Sequence, residues 1–383
     1  MWSVIRRLQG ESPPGESTCG ELRYERNQRC IMMHEMKRYP RTLDPDVFTR
    51  PFGEMEYEKV RAWMLHDSVD KRRQAMNHLL ELHVLQRENV ICSLRYGFLD
   101  VILCTLHHDE SEEMRCKAAE ALAFLLRETK GLDMFLAMDD EKATLCELLK
   151  ALDDPSSEVI ILVLRVTIAC RAAYNAYEAT LRLVKYGFIE RCIALLRHEE
   201  DRVTATACSA LVTIFVVKEA FIQFIQADGM AEVTEALRRN DPFVVAEAAE
   251  VVIQSALYRL GKKAAVNHNT LVALQPYMLH DNLRVRTAVT GAVAQLTIYE
   301  PGKQQAVDEN VAELLLKLLM KEEERDVLVN VLKTIVNVAE HPVGRRQLLV
   351  AKDRLQFIAR EADDYQPLTS SVAEALSQLE RKC

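Results

Sequence analysis

Four pairs of a histidine and an acidic residue recur along the chain, and their residue types suit metal chemistry best. The pairs are His66-Asp67, His108-Asp109, His198-Glu199 and His280-Asp281. Imidazole and carboxylate groups bind iron and zinc, so such pairs are compatible with a metal-dependent reaction. Each pair, however, ends an apolar segment just before a polar turn. There the histidine can bond the last helical carbonyls, and the acid can cap the next helix.

The spacing of these pairs also argues against a shared metal ion. Helices packed about 10 Å apart cannot bring several such turns within the roughly 2 Å of a metal–ligand bond. We therefore expect the pairs to cap helices, and we expect neither a metal nor another cofactor.

Other catalytic signatures are missing from the sequence. The 12 glycines are scattered, so they form no glycine-rich phosphate-binding loop. Ser209 and Ser255 lie in apolar segments without a Gly-x-Ser-x-Gly motif. The 10 cysteines contain no Cys-x-x-Cys pair, and most lie in apolar stretches, which indicates core positions in a reducing compartment. The sequence predicts a protein without enzymatic activity.

Composition and charge exclude further classes. The chain has 383 residues, with 49 basic against 57 acidic side chains and a net charge of −8, so an overall basic surface for nucleic acid is not expected. No apolar stretch approaches the 18 or so residues of a membrane span, and the N-terminal residues do not resemble a secretory signal. With only 12 glycines and 11 prolines, the chain also lacks the turn residues of a many-stranded sheet protein.

Two regions differ in pattern. Residues 1–55 contain frequent prolines, which interrupt helices, and we expect an extended arm that becomes ordered only in an assembly. Its expected anchors are Tyr39, Phe48 and Phe52. Residues 56–383 are uniformly helical in pattern and form the second predicted region, a repeat array.

Internal repeats carry the strongest signal in this second region. The segment Leu94–Ile102 recurs as Leu183–Arg191. Polar turns recur at intervals of roughly 40 to 46 residues, which is the period of armadillo and HEAT arrays. A short helix such as Gly302–Val307, a second helix such as Val311–Leu319 and a long helix from about Arg325 predict three helices per repeat. Glycines 97, 187 and 229 are predicted to be left-handed residues between the first and second helices.

The three-helix layout resembles the armadillo-repeat family over residues 57–381. The resemblance implies an all-α, right-handed solenoid of about seven full repeats and a partial N-terminal one. Within the family, Val338–Leu348, Val372–Leu376 and Arg38–Arg41 are similar to the armadillo subunits of ciliary radial spokes. This similarity implies a cytoplasmic scaffold in the axoneme of motile cilia or flagella. Its partners would be other radial spoke subunits and the doublet microtubule, with no nucleic acid and no membrane.

The family also implies a binding groove along the third helices. In its nuclear-import receptors, a ladder of tryptophan and asparagine residues there holds an extended basic peptide. The corresponding candidate groove residues are Phe124, Thr213, Ser255, Gln295, Asn337 and Gln378. Only one of them is asparagine, so we expect a folded partner or a specific segment rather than a cargo peptide.

A second candidate surface is basic. Five cations follow the glycines that open three successive first helices, and they are Lys262, Lys263, Lys303, Arg345 and Arg346. Since equivalent positions line up in a solenoid, these cations predict a basic edge for an acidic partner.

Two other functions fit the same repeats. One is a cytosolic armadillo adaptor or chaperone-like protein unrelated to cilia. The other is a metal-dependent hydroxylase of HEAT type, whose iron would be bound by histidine–glutamate pairs.

Overall fold

The computed structural model describes residues 55–173, 176–361 and 365–381. Every regular element among these residues is a helix. The prediction of an all-α fold is thereby confirmed for the described residues. The proposed arm anchors Tyr39, Phe48 and Phe52 lie outside them.

The chain divides into two compact units, Met1–Ala121 and Leu122–Cys383. The described part of the first unit consists of α1 (Met55–Met64), α2 (Val69–Leu85), α3 (Arg87–Arg95), α4 (Phe98–His108) and the start of α5 (Glu112–Arg127). Its core includes Val60, Met76, Leu79 and Phe98, all fully buried.

The second unit repeats one order of helices: a first helix, a second helix and a third helix. The first helices are α6 (Thr129–Lys142), α9 (Ala176–Lys185), α12 (Lys218–Gln226), α15 (Arg259–Asn267), α18 (Glu300–Asp308) and α21 (Pro342–Leu348). The second helices are α7 (Thr144–Lys150), α10 (Phe188–Leu195), α13 (Gly229–Leu237), α16 (Thr270–Leu274), α19 (Val311–Lys321) and α22 (Lys352–Glu361). The third helices are α8 (Ser157–Ala169), α11 (Asp201–Ile214), α14 (Pro242–Ser255), α17 (Leu283–Leu296), α20 (Arg325–Ala339) and α23 (Gln366–Glu380).

Stacking of the third helices forms the core of the second unit. Each of α8, α11, α14, α17 and α20 packs against the next third helix along the chain. On α14 the two buried valine pairs Val244-Val245 and Val251-Val252 flank buried alanines. Small residues allow close approach of neighbouring helices, and a single repeat could not bury these faces alone.

A left-handed residue separates the first helix from the second in most repeats. Gly97 and Gly187 occupy this conformation, with φ of 69° and 81°. At the third predicted site the left-handed residue is Asp228, with φ of 54°, and Gly229 is the first residue of α13. The prediction for Gly229 is therefore wrong by one residue. Aspartate tolerates the left-handed region better than most side chains do, so no glycine is needed there.

His83 is a buried histidine from which we expect an acid sensitivity of the first unit. His83 lies on α2 with a buried side chain, and its Nε2 lies 2.8 Å from Ser93 Oγ. Burial lowers the pKa of His83 from 6.5 to about 4. Between these two values the unfolded chain binds a proton that the folded chain does not. Stability therefore falls as the pH drops from 6.5 towards 4, by about 3 kcal/mol in total.

Replacing His83 with glutamine is expected to reduce the loss of thermal stability between pH 7 and pH 4.5. The measurement is the unfolding midpoint of the full chain at both values. The control is His108→Gln, because His108 is exposed on α4 in the same unit. An equal acid-induced loss in the His83 variant and the parent protein would contradict the assignment.

Candidate interaction surface

The third helices of the second unit carry a row of half-buried polar side chains. Thr213 on α11, Gln295 on α17 and Asn337 on α20 occupy equivalent positions near the helix ends. Phe124, the candidate on α5, is also half-buried. Thr213, Gln295 and Asn337 lie where the sequence analysis places them, on third helices, and Phe124 lies on α5, which precedes the first helix α6 as a third helix does.

The predicted position on α14 is shifted by one residue. Ser255 is 0 % exposed, and its hydroxyl donates to the Val252 carbonyl at 3.0 Å. Gln254 is the residue one repeat after Thr213 and one repeat before Gln295, and it is half-buried. Because each helical residue turns the side chain by about 100°, a shift of one position moves it from the surface to the core. Gln254 therefore replaces Ser255 in the row.

Gln378 on α23 also fails to reach the surface. Its side chain is only 6 % exposed. A partner cannot contact it without rearrangement of the last repeat, so Gln378 does not belong to the exposed row.

Asparagine side chains connect two of the third helices. The Asn337 amide donates to the Ala294 carbonyl at 3.0 Å and to Thr297 Oγ1 at 3.1 Å. About two turns earlier on the same face of α20, the Asn330 amide donates to the Thr287 carbonyl at 3.2 Å. These amide N–H groups thus bind the neighbouring repeat, and they tie α20 to α17.

An acidic pair lies at the middle of the row. Glu247 accepts a hydrogen bond of 2.6 Å from Ser209 Oγ on α11 and is paired with Arg284 on α17. Glu250, three residues further on the same helix, is half-buried. Its pKa is raised, chiefly by burial and then by the nearby Glu247. A cation from a partner would add to the positive field of Arg284 and stabilise the charged form of Glu250.

The predicted basic edge is only partly available to a partner. Lys303 is 7 % exposed and is paired with Glu300 and Glu340. Lys262 donates to the Ala256 carbonyl, and Arg345 Nε donates to the Ala339 carbonyl at 2.8 Å. Lys262 and Arg345 thus bind the end of the preceding third helix, whereas Lys303 binds an acid of its own helix and the acid that follows α20.

This internal use changes the interpretation of the basic edge. Carbonyls at a helix end carry a partial negative charge, so a lysine or arginine that follows the glycine can cap the helix before it. Of the five predicted cations, Lys263 and Arg346 are exposed. The recurrence in sequence therefore reflects helix capping at Lys262 and Arg345 and internal ion pairing at Lys303.

The turn histidines cap turns in a different way from that predicted. In three of them Nδ1 accepts a hydrogen bond from the backbone N–H two residues later. The distances are 2.9 Å for His66–Ser68, 3.1 Å for His198–Glu200 and 3.0 Å for His280–Asn282. At the fourth pair the acid takes this role, since Asp109 Oδ1 accepts from the Ser111 N–H at 3.0 Å. The prediction that the histidines bond the preceding carbonyls is wrong.

Within residues 55–173, 176–361 and 365–381, no group of three or more histidine, cysteine, aspartate or glutamate side chains is placed to hold a metal ion. Cys170, Cys192 and Cys208 are buried as predicted for core cysteines, and burial raises the pKa of Cys170 to about 12. Cys104 is exposed on α4, so the core prediction is wrong for that residue.

Sequence reasoning missed Asp139, a buried acid near the end of α6. One carboxylate oxygen accepts from the Leu145 N–H at 2.9 Å, and the other accepts from Arg182 at 3.2 Å and from the Tyr186 hydroxyl at 3.3 Å. It joins three helices, α6, α7 and α9. The stretch Asp139-Asp140-Glu141-Lys142 reads as a solvated turn in sequence, so only contacts with the next repeat reveal this role.

No single helix in the described part of the chain is long and apolar enough to cross a membrane; α3 and α4 together meet the length and composition criteria, with a bend of 86° between them.

Comparison with solved structures identifies the fold of the chain. No protein-family model matches the sequence, and no curated protein does so. Solved structures match well, among them an engineered protein with a TM-score of 0.73 and 19 % identity, covering 86 % of this chain and 79 % of that one.

Two designed armadillo repeat proteins match as well. One has a TM-score of 0.54 and 20 % identity, covering 63 % of this chain and 100 % of its own. The other was solved in complex with the peptide (KR)4, and it has a TM-score of 0.55 and 21 % identity, covering 63 % and 99 %. The helix order and these similarities together show that the chain has the fold of an armadillo-repeat solenoid.

Proposed function

We propose that this protein is a non-catalytic scaffold that binds other proteins through the third helices of its second unit. The observation that carries the proposal is the row of half-buried polar side chains on successive third helices, formed by Thr213, Gln254, Gln295 and Asn337. The Asn337 amide and the Thr213 hydroxyl donate within the protein, whereas Gln254 and Gln295 offer hydrogen-bonding groups one repeat apart. The similar designed protein that was solved with (KR)4 holds its peptide on the same kind of fold.

The charges of the surface narrow the kind of partner. Arg284 is paired with the acidic Glu247, and Arg202, near the start of α11, is paired with Glu158 at 2.9 Å. A purely basic peptide would meet cations as well as acids along this surface. A folded partner or a segment with mixed charges fits it better.

The proposed place of this scaffold is the axonemal radial spoke of motile cilia or flagella. The support comes from the sequence, because Val338–Leu348, Val372–Leu376 and Arg38–Arg41 resemble radial spoke head 14 homolog. Its partners would be other spoke subunits and the doublet microtubule. A cytoplasmic protein delivered to the axoneme would need neither nucleic acid nor membrane for this role.

A tagged copy of the full chain, expressed in cells with motile cilia, is expected to stay with the axoneme after detergent removes the membrane. Replacing Gln254 and Gln295 with arginine should reduce this retention several-fold, because two long cationic side chains would replace the neutral amides of the row and change its charge. The measurement is the ratio of axonemal to soluble protein.

The matched control carries the same substitutions on first helices, Gln226→Arg and Gln304→Arg, at two exposed positions. Full retention of the third-helix variant would contradict the proposed surface. A parent protein that washes out of demembranated axonemes would contradict the radial spoke role.

A further inference from the structure

Exposed apolar side chains recur at the corner between a third helix and the next first helix. Val216 follows α11, Leu257 follows α14 and Ile298 follows α17. They are 58 %, 59 % and 52 % exposed, respectively. The three residues occupy equivalent positions in successive repeats, and we call them the corner ladder and each of them a rung. The equivalent position after α20 is Glu340, so the ladder ends there.

Aromatic rings pack next to two residues of the corner ladder. Tyr258, next to Leu257, stacks on Phe221 with ring centroids 4.3 Å apart. Phe215, next to Val216, packs edge-on against Phe224 at 4.9 Å. Because these rings fix the backbone beside two of the rungs, a partner would bind them with little loss of conformational entropy.

The spacing of the ladder selects the conformation of its partner. Helices α11, α14 and α17 pack side by side, and packed helices lie about 8–10 Å apart. Seven residues of an α-helix rise about 10.5 Å and return to nearly the same face. Same-face residues of an extended strand are about 7 Å or 13 Å apart, which fits the rungs less well.

Charged residues beside the rungs define the partner's polarity. Two residues beyond each rung lies an exposed charge at the start of the next helix: Lys218, Arg259 and Glu300. Two rungs thus have a cation beside them, and the third has an anion. A partner helix with acids near the first two rungs and a base near the third would complement this order.

We propose that the corner ladder binds an amphipathic α-helix of a partner protein. This helix has apolar side chains seven residues apart, acidic residues beside Lys218 and Arg259, and a basic residue beside Glu300. The inference rests on the proposed scaffold role, but it uses a different surface from the third-helix row.

The test is a selection of helical peptides of 21 residues against the full chain, from a library with randomised positions on a helix-forming background. Bound peptides are expected to be enriched in apolar residues with a seven-residue period. Replacing Val216, Leu257 and Ile298 together with serine should weaken their binding on the order of 100-fold, because each rung loses its apolar contact.

Charge reversal tests the polarity separately. Lys218→Glu with Arg259→Glu should weaken the same peptides about tenfold at low salt and less at high salt, since exposed charges are screened. The matched control is Met320→Ser with Val350→Ser, two apolar residues that are more exposed than the rungs and lie elsewhere. This control should bind the peptides like the parent protein.

The proposal would be overturned if the bound peptides lacked apolar residues at a seven-residue period or if the selection enriched no peptide. Equal binding of the peptides to the serine variant and to the parent protein would also overturn it. These outcomes are distinct from failure of the scaffold role, which the axonemal retention of the parent chain measures. Equal thermal midpoints of the serine variant and the parent would show that lost binding is not lost folding.

Discussion

Replacement of Gly302 by alanine is expected to destabilise the second unit by about 3 kcal/mol, because an added Cβ would overpack a backbone contact. Gly302 lies in the first turn of α18, against the end of α17. A Cβ built there would lie 2.3 Å from the Leu296 carbonyl oxygen. Backbone atoms at that distance cannot be relieved by a change of rotamer, so the two helices must move apart.

The same close approach recurs in two other repeats. A Cβ at Gly261 would lie 2.0 Å from the Ser255 carbonyl oxygen, and one at Gly344 would lie 2.4 Å from that of Val338. The measurement is the urea-induced unfolding of the full chain with each single substitution. All three variants should lose stability, since the geometry is common to them.

Gly291 supplies the control. It lies inside α17, where a Cβ would meet the Ile253 side-chain Cδ1 at 3.1 Å. A terminal methyl group can give way, and alanine is a better helix former than glycine by up to about 1 kcal/mol. Gly291→Ala should therefore leave stability unchanged or raise it. Equal destabilisation by Gly291→Ala and Gly302→Ala would contradict the backbone explanation.

Removal of the Asp139 carboxylate is the second change with a large expected effect. Asp139→Ala should cost about 3 kcal/mol, because it leaves the buried Leu145 N–H without an acceptor and removes a partner of Arg182. Asp139→Asn keeps one acceptor oxygen and should cost less. Chemical unfolding of the two variants measures the difference.

The adjacent Asp140 is a matched control for this experiment. Its side chain is 65 % exposed and also contacts Arg182, at 2.7 Å. An exposed ion pair contributes about 0.2–1 kcal/mol, so Asp140→Ala should be nearly neutral. If both alanine variants lost the same stability, the effect would belong to Arg182 pairing in general and not to the buried acceptor.

Two of the failures of the sequence analysis are shifts of a single residue. The row on the third helices was predicted through Ser255, whereas Gln254 faces outward. The left-handed residue was predicted at Gly229, whereas Asp228 adopts it. On α14 one residue corresponds to about 100° of rotation, so the shift exchanges surface for core. At Asp228 the shift arises because aspartate as well as glycine tolerates the left-handed region.

The sequence by itself determined the all-α class, the presence of three helices in each repeat and the apolar faces that join them. These properties follow from periodicity, which is a property of neighbouring residues along the chain. Periodicity correctly predicts the third helix that begins at Arg325. It also places the first helices that contain Gly302 and Gly344.

Only the tertiary structure decided which polar residues remain available to a partner. Lys303 and Lys263 look alike in sequence, yet Lys303 is buried between Glu300 and Glu340, while Lys263 is exposed. The exposed corner ladder likewise depends on the packing of three successive repeats. Whether a side chain pairs internally depends on residues a whole repeat away, and local sequence patterns do not encode that contact.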